Sequence, residues 1–170
     1  LGDVYKRQVM QQQTNANLWG TATPNKKVTV TTGWNGKQYA VTADKNGSWK
    51  LSVSTPEAGG PYTITFDDGT PKTLNNILIG ELWLCSGQSN MEMPMKGFKN
   101  QPVENANMDI LRSKNPHIRL FTVKRTSTIT PQNDVVGSWK EAAPVSVRDF
   151  SATAYYLSLI HISEPTRPIS

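Results

Sequence analysis

The chain has one cysteine, Cys85, and two histidines, His117 and His161, among 170 residues. A single cysteine excludes an internal disulfide framework and a multi-cysteine zinc site. No apolar stretch approaches the ~20 residues that a membrane-crossing helix needs, and Leu1 to Gln8 lack the apolar core of a secretory signal. There is no basic run either. Eighteen lysines and arginines outnumber thirteen acidic residues to give a net charge of +5, but they are scattered along the chain. This describes a mildly basic solvated surface, not a nucleic-acid footprint. No metal-ligand cluster, phosphate-cradling glycine loop or aromatic-basic interleaving occurs. Cofactor, metal and nucleic acid are therefore not expected.

What is present argues for a folded, turn-rich chain: 36% hydrophobic residues with five Trp, five Tyr and four Phe, punctuated by twelve Gly and eleven Pro. The length accommodates one ordinary domain, or one small domain plus part of another.

From Leu18 to Ile79 short alternating segments lie between turn signals, the period of half-buried strands. Lys27 to Thr31 reads as a strand. Gln38 to Ala43 and Ser48 to Ser54 flank Lys45-Asn46-Gly47, whose Asn-Gly pair tolerates the positive φ angles of a tight hairpin. Thr55 to Pro61 breaks the pattern, Tyr62 to Phe66 alternates again, and Asp67-Asp68-Gly69 makes another turn. Such spacing predicts a small β-sandwich. Trp19, Trp34 and Trp49 fit its core better than a sugar platform, since an indole on an alternating strand usually points inward.

The pattern changes near Gly80. Leu82-Trp83-Leu84-Cys85 reads as a buried strand of the parallel-sheet kind, which makes Cys85 an inert core thiol. Val103 to Ser113 reads as a helix of about three turns beyond Pro102, and Ile118 to Val123 as another buried strand. Phe150 to Tyr156 opens a further helix. Strand, helix, strand begins an α/β layer. Residues 125–149 read as an ordered loop.

The chemistry lies in Trp83-Leu84-Cys85-Ser86-Gly87-Gln88-Ser89-Asn90-Met91-Glu92-Met93-Pro94. Here a strand ends, a glycine permits a sharp turn, and Ser89 falls at the carboxyl edge of a sheet, where open α/β folds bind ligands. Met91 stands where the lipase elbow Gly-x-Ser-x-Gly has its second glycine, so that elbow is a poor match. Gln88 and Asn90 either orient the site and bind substrate or satisfy backbone groups of the turn, and both readings stay open. Met91, Met93 and Met95 suit packing under the sheet edge better than a pocket lining. His117, just after Pro116, reads as a surface or strand-edge residue.

The string Gly-Gln-Ser-Asn-Met resembles the first block of the SGNH hydrolases in the form found in sialate O-acetylesterases and related carbohydrate acetylesterases. Val9-Met10-Gln11-Gln12 with Leu18-Trp19-Gly20, Ile118-Arg119-Leu120-Phe121 and Phe150 to Tyr156 resemble other segments of that family, so the likeness spans residues 9–156. It implies an α/β protein with an N-terminal all-β domain: a small β-sandwich followed by the start of a three-layer α/β/α esterase domain. It further implies an acetylated carbohydrate as substrate, Ser89 as nucleophile and the Ser89 N–H as one oxyanion donor. The family's remaining donors and its Asp-x-x-His pair have no counterpart here and are expected beyond residue 156, which leaves this portion nearly inactive.

Residues 1–8 and 157–170 resemble translated sequencing-adapter DNA at the ends of metagenomic gene fragments. The expected organisation is therefore an adapter-like tail at 1–8, a β-sandwich at 9–79, the front of an esterase domain at 80–156 and a second adapter-like tail at 157–170. The chain begins with Leu1, so its true start, and with it an export signal, is expected to be missing; the family resemblance implies a secreted or periplasmic protein. The competing reading is a non-catalytic carbohydrate-binding module acting through surface tryptophans, Trp34 first among them.

Overall fold

The computed structural model of the chain describes residues 7–132 and 135–163. It divides into two compact units that meet between Leu82 and Trp83.

The first unit holds seven strands, β1 (Val9–Gln11), β2 (Asn15–Thr21), β3 (Lys27–Thr32), β4 (Gln38–Thr42), β5 (Ser48–Ser54), β6 (Gly59–Asp67) and β7 (Lys72–Gly80). Five form one sheet in the order β1-β7-β6-β3-β4, and β2 pairs with β5 in a second. All ladders are antiparallel except β1 with β7. Alternation creates the core: Val28 and Val30 of β3, Trp49 and Val53 of β5, Ile64 and Phe66 of β6, and Ile77 and Ile79 of β7 form one buried cluster between the two sheets. Each such side chain contributes about 1.5–3 kcal/mol through burial. Buried Thr55 is satisfied within this unit, because its Oγ1 donates to Gln11 O at 2.7 Å and accepts from Thr14 N at 3.0 Å.

The strands flanking Lys45-Asn46-Gly47 form where expected, but they do not pair with one another. β4 pairs with β3 and β5 with β2, so the turn is an arch between sheets and not a hairpin. Only Gly47 has positive φ, +82°, whereas a two-residue hairpin turn of the primed type needs it at both central positions. Asp44 instead organises the bend, its Oδ1 accepting from the N–H groups of Asn46 and Ser48. The break expected at 55–61 is shorter than predicted: β6 begins at Gly59 and carries Pro61 in a central strand, which register shifts on either side of Tyr62 accommodate.

The second unit contains α1 (Ser89–Glu92), α2 (Ala106–Leu111), β8 (Asn115–Phe121), β9 (Trp139–Ala142), α3 (Pro144–Val147) and α4 (Ala152–Ser163). Met95, Ala106, Ile118, Leu120, Ala142, Val147, Ala152 and Tyr155 make its core. Two expectations are corrected here. Leu82 to Cys85 is neither a strand nor buried, with Leu84 92% exposed. A strand needs a neighbour; Arg119 to Phe121 pairs antiparallel with Trp139 to Glu141, and no described residue pairs with 82–87. The helix expected over Val103 to Ser113 is six residues long because Asn105 sits at φ +56° immediately before it, a left-handed conformation that a helix cannot pass through. The last helix begins at Ala152 and runs on to Ser163 through part of the adapter-like segment, whose Leu159 packs against the second core.

Candidate functional site

Ser89 is the first residue of α1, and Gln88 caps it with φ −109° and ψ −132°. Gln88 O accepts the N–H groups of Met91 and Glu92 at 3.0 and 3.1 Å, and Ser89 O accepts that of Met93 at 3.1 Å. At the start of a helical turn the N–H groups of Ser89 and Asn90 have no intrahelical acceptor. Met91 packs close over Gly87: a Cβ there would lie 2.8 Å from Met91 Cγ, so the methionine side chain would have to shift.

The segment after Ser89 is tied to Phe150 and to the first turn of α4. Thr153 Oγ1 donates to Asn90 O at 3.1 Å, Ala152 N to Met93 O at 2.8 Å, and Met95 N to Phe150 O at 2.9 Å. Met95 is fully buried beneath this junction, while Met91 and Met93 are half-buried. Lys96 pairs with Asp149 at 2.5 Å, and its hydrogen bond holds that carboxyl below the usual carboxylate range. Glu92, three residues after Ser89, is paired with Arg125 from the segment joining β8 to β9.

Gln88, Ser89 and Asn90 are all exposed. Among the described residues, none of their side chains is held by an intrachain hydrogen bond, so the amides of Gln88 and Asn90 are not spent on the backbone of the turn. His117 is exposed on β8, its N–H donating to Asn115 Oδ1 at 2.9 Å. His161 on α4 stacks on Trp83, ring centroids 4.4 Å apart. Neither histidine is hydrogen-bonded to Ser89 among the described residues, and Cys85 is half-buried, not in a core. Among the described residues the arrangement is therefore an exposed hydroxyl beside backbone donors with no intrahelical partner, without a base in contact.

The pairing of Arg125 with Glu92 and the contact of Thr153 with Asn90 were not foreseen from the sequence. They span 33 and 63 positions, and no local pattern announces such contacts.

Comparison with known proteins places these features in a context. No family model matches the chain. Over 125 residues, 68% of the chain, it is 31% identical to a sialate O-acetylesterase of Mus musculus, and over 137 residues, 75% of the chain, 28% identical to that of Homo sapiens. These stretches make up 22% and 25% of those proteins, so the chain spans about a quarter of the length of the curated relatives it matches. Among solved structures, a carbohydrate acetylesterase from Xanthomonas citri superposes with a TM-score of 0.86 at 28% identity, covering 95% of this chain and 36% of that one.

Proposed function

We propose, for a chain that belongs to the sialate O-acetylesterase family, that it is the nucleophile-bearing front portion of a serine esterase removing acetyl groups from sugar hydroxyls. The observation that carries the reading is Ser89 itself, exposed at the first position of a helical turn immediately after Gly87-Gln88. Ser89 Oγ attacks the acetyl carbonyl, the sugar alcohol leaves, and water releases acetate from the acyl-enzyme. The Ser89 N–H meets the oxyanion, and Gln88 and Asn90 present their amides to the substrate. Sialic acids or related acetylated carbohydrates are the substrate class, in keeping with the names of the relatives. In this reading residues 83–156 open a three-layer α/β/α domain, and the protein works outside the cytoplasm.

A serine hydroxyl needs a base, which typically supplies ~10²–10⁴-fold, and each missing oxyanion donor forfeits ~2.7–4 kcal/mol. With no histidine on Ser89, the 170-residue chain is expected to be nearly inactive. The test is to read the source DNA past residue 156, express the frame as it continues there, and assay it on O-acetylated sugars beside the 170-residue chain. Turnover by the longer product that falls at least ~10⁴-fold in Ser89→Ala supports the reading. Turnover that survives Ser89→Ala removes Ser89 from the mechanism, and Ser89-dependent turnover by the short chain removes the need for further residues.

A further inference from the structure

Three tryptophans of the first unit, all fitted to the core by sequence, have three different fates. Trp49 is buried and tilts against Phe66, ring centroids 5.8 Å apart. Trp34 is half-buried, with Nε1 donating to Ser54 O at 3.1 Å and its ring set edge-on to Tyr62. Trp19 is 50% exposed. The register explains the difference. Gly20 lies opposite Trp49 and Trp19 opposite Lys50, and one step along a strand moves a side chain to the other face. Gly20 turns inward, where a Cβ would stand 2.8 Å from the Trp49 ring, so Trp19 turns outward.

Around Trp19 this outer face carries Asn17, Thr21, Ser48, Lys50 and Ser52, all exposed. It is a single large aromatic surface in a field of amides and hydroxyls with one charge. A protein partner needs a contiguous apolar centre, and a membrane surface needs several apolar side chains with a basic rim; neither is here. A pyranose ring fits both parts. Its C–H face packs on the negative face of an indole, and its hydroxyls need donors and acceptors alongside.

We infer that the outer face of β2 and β5 is a carbohydrate subsite centred on Trp19 that takes a neutral pyranose chain. It rests on the esterase reading only for the class of molecule. Lys50, the one charge, contributes a donor and does not make the face selective for acidic sugars.

The test is native affinity electrophoresis of the 170-residue chain in gels containing soluble xylan, galactomannan or dextran, with a sialylated mucin as the acidic comparison. Retardation by at least one neutral polysaccharide is expected, with Trp19→Ala raising the dissociation constant at least ~10-fold and Trp19→Phe falling between. Trp19 is exposed, so both variants should keep the native circular dichroism spectrum. The inference is overturned if no neutral polysaccharide slows the chain, if Trp19→Ala is slowed as much as the native chain, or if only the mucin retards it. Binding is read without hydrolysis, so failure here leaves the role of Ser89 untouched, and an inactive Ser89 leaves this result standing.

Discussion

Tyr156 on α4 donates a hydrogen bond to Asp109 Oδ2 on α2 at 2.7 Å. Burial, and after it the Asp109 hydrogen bond, push the phenol from 10.0 up to about 12. The folded state therefore keeps its proton while the unfolded chain gives it up. The stabilisation is complete below pH 10 and drains away as pH rises from 10 toward about 12. Tyr156→Phe should lower stability by about 1.5 kcal/mol at neutral pH and lose less than the native chain over that alkaline window. Urea titrations at neutral pH and across the window measure both. Parallel losses in the two proteins would show that Tyr156 does not set the alkaline limit.

Thr55 joins the end of β5 to the connection between β1 and β2. Thr55→Val keeps the shape but strands Gln11 O and Thr14 N, and should destabilise the first unit by about 1–3 kcal/mol. Urea denaturation followed by far-ultraviolet circular dichroism measures the shift. An unchanged midpoint would mean that water replaces the hydroxyl at no loss.

Gly47 and Gly36 both have positive φ, at +82° and +66°, but differ in surroundings. A Cβ at Gly47 collides with the carbonyl oxygen of Ala22, and one at Gly36 meets nothing within 4 Å. Gly36→Ala should therefore lose only the conformational penalty of about 1–2 kcal/mol, and Gly47→Ala distinctly more. Equal thermal shifts would show that the arch between the sheets gives way freely.

Leu84 is 92% exposed, so Leu84→Lys should change folding stability by less than ~0.5 kcal/mol. Its effect should appear in association, because Leu82, Trp83 and Leu84 place apolar side chains in water side by side. Static light scattering against concentration should show reduced aggregation. If the native chain stays monomeric to high concentration, the stretch is not sticky.

Strands β3 to β6 could be read from alternation because one face of each is buried or half-buried, as Val28 and Val30 against Lys27 and Thr29 show, whereas β7 buries Ile77, Leu78 and Ile79 in succession and does not alternate there. Alternation says nothing about which sheet a strand joins, and so the Asn-Gly turn pointed to a hairpin where the chain builds an arch. Nor does it say which face is inside, and so Trp19 and Trp49 looked alike. Leu82 to Cys85 looked buried because apolar composition registers a wish for cover, whereas burial needs a partner strand. The short α2 traces to Asn105, an asparagine and so one of the few residue types that takes the left-handed conformation readily, a signal that the helical spacing of Ala106, Ile110 and Leu111 outweighed. The turn that presents Ser89 could be placed from sequence because Gly87-Gln88-Ser89 is local, whereas its contacts with Arg125, Phe150, Ala152 and Thr153 come from far along the chain and could not.

The parallel pairing of β1 with β7 puts Val9 beside Leu78 and Gln11 beside Gly80. During synthesis the first strand must therefore wait for nearly the whole unit to emerge, an interval of about 4–14 s at ~5–20 residues per second. Until β7 emerges, the edge of β6 that it covers is open as well. Closure also fixes the chain on its way toward Ser89, since Gln11 and Gln12 bind Glu81 and Gln11 receives the N–H of Leu82. The last residues of the first unit, up to Leu82, are thus held by Gln11 and Gln12 at its opening.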